Sequence, residues 1–150
     1  TSQKGFTTKV QVDGVGNEPF NPLAVALGLK AGFVSRVNIG NAAHAKEVLK
    51  AAFLHPGYAL VDILQPCVTF NKINTYKWFR ENTYLLDAAY DESDIGVAVQ
   101  KAFETMPMPL GVLYKDVSST FEQRIRRGDT KPLYATEHDT TRIQELFDGY

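Results

Sequence analysis

The chain has 150 residues, an apolar content of 44% and a formal net charge of −1. That length suffices for one domain with a real core, and so balanced a charge sets up no global field for nucleic acid or an anionic membrane surface. No basic stretch is interleaved with aromatics and no apolar run is long enough to span a bilayer, so nucleic-acid and membrane partners are both set aside.

The single cysteine, Cys67, excludes an internal disulfide and fits a reducing, cytoplasmic setting. The opening Thr1-Ser2-Gln3-Lys4-Gly5 is polar, shows no secretory pattern and lacks an initiator methionine. It reads like the inside of a loop, so the chain is expected to be a piece of a longer polypeptide.

In chain order, residues 1–22 hold scattered glycines and prolines and read as an extended loop, with a short strand at Thr8–Val12. A short helix follows Pro22 through Leu23–Leu27. Phe33–Val37 is a strand. Asn41 caps a helix from Ala42 to about Leu54, whose Ala45, Val48, Leu49, Ala52 and Phe53 keep helical spacing. His55-Pro56-Gly57 stops it, and Tyr58–Leu64 is a buried strand, completing the length of a βαβ unit.

Beyond Cys67 a helix is expected through Thr75–Leu86, then an acidic connection Asp87–Asp94. A further helix should reach about Met106, with Ile95, Val99, Ala102, Phe103 and Met106 inward. Leu110–Tyr114 is the third strand. Ser119-Thr120-Phe121-Glu122 matches a capping box for a helix to Arg127, and residues 140–147 form a last helix. Strands alternating with helices predict an α/β fold, a parallel sheet flanked by helices, in a single domain.

Cys67 comes directly after the strand Tyr58–Leu64, and the carboxyl ends of strands are where open α/β sheets gather their ligands. A packed small side chain is the plain alternative. Pro66 before it, with Thr69 and Asn71 after it, favours a turn facing a pocket. A Cys/His nucleophile is set aside, because His44 and His55 belong to the preceding helix and its end, on the far side of the sheet.

Gly14-Val15-Gly16 lacks a preceding strand and reads as a turn. Lys4-Gly5, with Thr1, Ser2, Thr7 and Thr8, has the amides and hydroxyls to hold an anion. Asp91, Glu92 and Asp94 read as a solvated loop. Asp62 interrupts an apolar strand and needs a partner, for which Arg36 on a neighbouring strand is the candidate.

Several stretches, taken in order, resemble one family: Thr1-Ser2 with Gly5 and Thr8-Lys9, Asn21-Pro22-Leu23, Phe33-Val34-Ser35-Arg36, His55 through Asp62, Gln65-Pro66-Cys67-Val68-Thr69-Phe70-Asn71 and Pro109 through Tyr114. This pattern is similar to the C-terminal half of the β subunit of 2-oxoacid:ferredoxin oxidoreductases, and Pro-Cys-Val-Thr-Phe-Asn after an apolar strand is its most specific piece. The resemblance implies a thiamine diphosphate-binding fold that holds thiamine diphosphate with Mg2+ and one [4Fe–4S] cluster. It implies that Cys67 is the fourth cluster ligand, and that Thr1, Ser2 and Gly5 lie near the thiamine site.

The implied reaction is oxidative decarboxylation of a 2-oxoacid with coenzyme A, electrons passing through the cluster to ferredoxin. Within the family, the sequence looks more like 2-oxoglutarate or broad-specificity members than pyruvate-specific ones. The implied partners are the N-terminal half of the β subunit, the α subunit and ferredoxin. The family's Gly-Asp-Gly motif, the asparagine that binds magnesium diphosphate and the other three cysteines are absent from these 150 residues. By itself the chain is therefore expected to be inactive, without a complete cofactor site or cluster, and to expose apolar surface. The alternative is a non-catalytic α/β module that binds a partner chain without a redox cofactor.

Overall fold

A computed structural model describes residues 3–117, 119–125, 133–135 and 141–149. Two compact units emerge, Thr1–Ser118 and Ser119–Tyr150. In the first, α1 (Pro22–Gly28), β1 (Phe33–Asn38), α2 (Ala42–Leu54), β2 (Ala59–Leu64), α3 (Tyr76–Glu81), β3 (Thr83–Leu85), α4 (Ile95–Ala102) and β4 (Met108–Lys115) succeed one another. The second holds α5 (Phe121–Ile125), a 3-10 turn at Leu133–Ala135 and α6 (Thr141–Asp148).

The four strands form one sheet in the order β2-β1-β4-β3. β1 and β2 are parallel, Phe33 opposite Ala59 and Asn38 opposite Leu64, with α2 as the crossover. β3 and β4 are also parallel. The α/β class with flanking helices is as expected, but the sheet is mixed: β4 runs antiparallel to β1, with a bulge between Val34 and Ser35.

The reason lies between β2 and β3. A six-residue strand such as β2 covers about 20 Å, whereas the six-residue α3 advances only about 9 Å. The chain therefore never returns to the starting end of the sheet. β3 leaves from the carboxyl end of β1 and β2 and runs back, and α4 then crosses over to bring in a parallel β4.

β1 is one of the two interior strands, and all six of its residues are buried. On one face Val34 packs with Leu23, Ala26 and Leu27 of α1, Ala98 and Ala102 of α4, and Leu113. On the other, Val37 meets Ala45 and Val48 of α2. Asn21 caps α1, its Oδ1 accepting from the Ala24 amide at 3.1 Å. Its Nδ2 donates to the Ala102 carbonyl at 2.8 Å, tying the start of α1 to the end of α4.

Gly111, at φ +136°, takes a backbone conformation L side chains rarely adopt, with Leu86 packed 3.4 Å from where its Cβ would stand. Asp62 and Arg36 are register partners, and Nε donates to Oδ2 at 2.8 Å. The ion pair expected of this lone strand carboxylate is present.

Several expectations are corrected. Thr8–Val12 is not a strand; Thr8 and Gln11 exchange backbone hydrogen bonds at 3.2 Å in a tight turn. The helix read over 75–86 ends at Glu81, where Asn82 caps it, and Thr83–Leu85 pairs with β4. α4 stops at Ala102 and buries Ala98 and Ala102, whereas Ile95, Phe103 and Met106 are exposed. The close approach of α1 and β4 admits the small residues and leaves the bulky ones outside.

Phe53, expected inward, is 87% exposed. The capping box of α5 is one residue later than expected: Thr120 Oγ1 accepts from the Gln123 amide at 3.2 Å, and Gln123 Oε1 accepts from the Thr120 amide at 2.8 Å. The expected end of that helix at Arg127 lies outside the described residues.

An apolar groove along α2, lined by Ile39, Ala42, Leu49, Phe53 and Leu54, stands open to solvent beside the edge strand β2. Open apolar surface and an unpaired strand edge both promote association. The 150-residue chain on its own is accordingly expected to self-associate in sedimentation velocity at micromolar concentration; a strict monomer would contradict this.

Candidate functional site

β2 ends at Leu64, whose carbonyl accepts from the Ile39 amide at 3.1 Å, so the loops after β1 and β2 lie together at one end of the sheet. Gln65 and the buried Pro66 carry the chain out of the sheet, and Cys67 is exposed at the start of a turn. The turn closes when the Asn71 amide donates to the Cys67 carbonyl at 2.9 Å.

The Asn71 side chain then organises the approach to α3. Its Oδ1 accepts from the amides of Ile73 at 2.9 Å and Asn74 at 2.8 Å, and its Nδ2 donates to Asn74 Oδ1 at 2.8 Å. Thr75 caps α3 through the Trp78 amide. Lys72 reaches back to donate its Nζ to the Val68 carbonyl.

This geometry turns backbone amides onto the sulfur. The Cys67 thiol is held below its ordinary pKa, first by the Phe70 amide; desolvation opposes this, and the amides of Thr69 and Asn71 and the charge of Lys72 outweigh it by acting in the same direction as Phe70. An exposed sulfur stabilised as thiolate by N–H donors is a soft metal ligand in waiting. Alkylation by iodoacetamide should therefore proceed faster at neutral pH than for cysteine in a short peptide, with the rate half-maximal at a lower pH. A rate profile identical to the peptide's would contradict the arrangement.

A [4Fe–4S] cluster needs four thiolates. Cys67 fits one of those positions, and among the described residues no group of three or more His, Cys, Asp or Glu is placed to hold a metal ion. The other ligands must come from outside this chain. His55 cannot serve Cys67 as a base: it is buried against Phe33, at the opposite end of β1, with ring centroids 5.4 Å apart. His44, expected on the far side of the sheet, instead stands in the first turn of α2, at the same end as Cys67.

Of the residues expected near a thiamine site, Thr1 and Ser2 lie outside the described residues. Gly5 is exposed at φ +79° and donates its amide to the Val15 carbonyl at 2.7 Å. Lys4 is paired with Glu18 at 2.5 Å. Among the described residues of this loop the Gly5 amide and the Lys4 ammonium are thus already engaged, and no step is derived through a diphosphate.

Two features went unread in the sequence. The Lys101 ammonium donates to Tyr84 Oη at 2.9 Å and Glu104 Oε1 at 2.8 Å, while the tyrosine hydroxyl donates to Glu104 Oε2 at 2.5 Å. Lys101 is held above its usual range by Glu104 and then by Tyr84, and Glu104 is lowered, chiefly by Lys101. This network ties β3 to the end of α4; the i,i+3 spacing of Lys101 and Glu104 was its available signal.

The second is an open cleft of about 450 Å³ outside the carboxyl end of β1, walled by Asn38, Gly40, Tyr76 and Arg80. The Gly40 amide donates to Asn38 Oδ1 at 2.9 Å, and a Cβ at Gly40 would crowd that oxygen at 3.2 Å while making only ordinary contact with the Tyr76 ring.

Known proteins resemble this chain in sequence and fold. The family model for the C-terminal part of the pyruvate ferredoxin oxidoreductase β chain matches residues 67–129, beginning at Cys67. A 2-oxoacid:ferredoxin oxidoreductase subunit β from a Sulfolobus species is 34% identical over 123 residues, 73% of this chain and 40% of that one. Its counterpart in Saccharolobus solfataricus is 34% identical over 147 residues, 89% of this chain and 48% of that one.

Among solved structures, the 2-oxoglutarate:ferredoxin oxidoreductase from Magnetococcus marinus, with 2-oxoglutarate, coenzyme A and succinyl-CoA bound, matches with a TM-score of 0.83 and 31% identity. That match covers 97% of this chain and 50% of the other. The chain spans about half the length of the relatives it matches. Taken with the exposed Cys67 turn and the α/β frame that carries it, the chain belongs to the family of 2-oxoacid:ferredoxin oxidoreductase β subunits.

Proposed function

We propose that this chain serves as part of a β subunit whose assembled enzyme oxidatively decarboxylates a 2-oxoacid with coenzyme A and passes the electrons to ferredoxin in the reducing cytoplasm. The observation that carries the proposal is the Cys67 sulfur: exposed at the carboxyl end of β2, free of any disulfide and favoured as thiolate chiefly by the Phe70 amide. In this role Cys67 is one ligand of a [4Fe–4S] cluster, the other three coming from the remainder of the subunit. The same N–H donors that favour the thiolate would help set the cluster's potential.

Thiamine diphosphate with Mg2+, when bound, would supply the electron sink for decarboxylation. Its principal ligands belong to the N-terminal half of the subunit, with Thr1, Ser2 and Gly5 at its margin. The matched 2-oxoglutarate enzyme supports 2-oxoglutarate, or a broad range of 2-oxoacids, as substrate. Pairing with an α subunit is inferred from the relatives' designation as β subunits.

The test is direct. The full-length subunit, assembled with its α subunit under anaerobic conditions, is expected to reduce ferredoxin only when both a 2-oxoacid and coenzyme A are present. No reduction with 2-oxoglutarate, pyruvate or 2-oxobutyrate would refute it.

A further inference from the structure

Cluster ligation by Cys67 makes no use of the cleft outside the carboxyl end of β1. That cleft takes residues from β1, β3 and β4 and lies on the side of β1 away from β2. Its volume of about 450 Å³ suits a small ligand.

Asn38, the last residue of β1, lines the cleft and is only 4% exposed. Its Oδ1 accepts from the Gly40 amide, which fixes the orientation of the side-chain amide. The Nδ2 group is therefore the free end, and among the described residues it donates no hydrogen bond. A nearly buried amide with two N–H donors needs an acceptor from outside the chain.

Other donors border the same opening. Arg80 lines it from α3 and makes no ion pair among the described residues. The N-terminus of α2 lines it at Ala42. There the His44 amide donates to Asn41 Oδ1 and the Ala45 amide to the Asn41 carbonyl, so the amides of Ala42 and Ala43 are left for another acceptor. The positive end of the helix dipole adds to them. Among the described residues no carboxylate lines the cleft, whereas Leu85 and Leu110 give it apolar surface.

We propose that this cleft binds a small organic anion, its carboxylate or phosphate head held by Asn38 Nδ2, Arg80 and the first amides of α2, its apolar body laid on Leu85 and Leu110. A guanidinium fork and N–H donors suit either oxyanion. The site goes beyond the activity proposed for the subunit and does not depend on it. α3 buries none of its own residues, so an occupant held by both Arg80 and Asn38 would also tie α3 to the end of β1.

The experiment is isothermal titration calorimetry on the full-length subunit assembled with its α subunit, without 2-oxoacid or coenzyme A. The probes are hexanoate, hexyl phosphate, inorganic phosphate and hexanol. Hexanoate, hexyl phosphate or both should bind, and which of them does so separates a carboxylate from a phosphate ligand. Hexanol and inorganic phosphate, each lacking half of the recognised chemistry, should bind far more weakly.

Arg80→Gln should raise the Kd about tenfold, the loss of one charged hydrogen-bonding partner. Asn38→Asp keeps an oxygen for the Gly40 amide but replaces the donor by a second oxygen, and should abolish binding. If Asn38→Asp fails to assemble, Arg80→Gln decides alone, because that side chain is exposed and unpaired among the described residues. Absence of binding by both organic anions, equal binding of hexanol, or a Kd unchanged in Arg80→Gln would overturn the proposal.

Discussion

Serine in place of Cys67 is expected to strip the [4Fe–4S] cluster from the intact β subunit. The thiolate is a soft ligand matched to iron in a sulfide cluster, and serine offers a harder oxygen that ionises far less readily. Loss of an outer-shell partner of a metal site typically costs 10–100-fold in affinity or activity, so loss of a direct ligand should reduce ferredoxin reduction by more than about 100-fold. Iron and inorganic sulfide should fall together, and the reduced protein should lose its electron paramagnetic resonance signal.

Thiamine diphosphate binding should survive, because Cys67 stands at the end of β2 and its ligands are expected elsewhere in the subunit. That split separates a ligand from a residue that merely supports the fold. A full complement of unaltered cluster in Cys67→Ser would show that this thiol only packs.

The largest effect on stability is expected from Asp62→Ala. The Arg36 side chain is 8% exposed, and Asp62 is its hydrogen-bonding partner across the β1–β2 register. Arg36 Nη1 is already buried without a hydrogen-bond partner among the described residues, so removing the carboxylate leaves an uncompensated guanidinium in the sheet.

Breaking a buried pair on one side costs about 3–5 kcal/mol; because Asp62 is itself 21% exposed, about 3 kcal/mol is expected. Replacing both residues by apolar ones of similar volume, Arg36→Met with Asp62→Leu, should cost far less, because no charge is then stranded. Urea denaturation of the single and double variants measures both. A single-variant loss below about 1 kcal/mol would mean that water reaches Arg36 freely.

The Arg36–Asp62 pair was legible because a carboxylate inside an apolar strand has few ways to be satisfied, and a parallel neighbour with an arginine is one of them. β1, α2 and β2 were legible for a similar reason: each is long enough for its pattern to repeat, and strong stops separate them. β3 was hidden because Thr83–Leu85 is a three-residue strand adjoining a helical pattern, too short to show any period of its own. The direction of β4 depends on α3 being too short to cross the sheet, which no pattern within β4 records.

At α4 the spacing correctly put Ala102 and Val99 inward but misplaced Ile95, Phe103 and Met106, because the available space selects small residues such as Ala98. At the site, Cys67 was placed by its position after an apolar strand, and the resemblance supplied its chemistry. The amides around its sulfur could not be read from residue types, since every residue but proline carries one and only the closed turn from Cys67 to Asn71 aims them.

Direct ligation of iron by residue 67 is the claim on which the account turns, and it can be observed without removing the ligand. Selenocysteine enriched in 77Se at position 67 of the full-length subunit, reconstituted and reduced, places a magnetic nucleus where the sulfur stands. Electron–nuclear double resonance should then show a strong 77Se hyperfine coupling to the cluster spin, with iron content equal to that of the cysteine protein. An intact cluster signal without 77Se coupling would contradict the account.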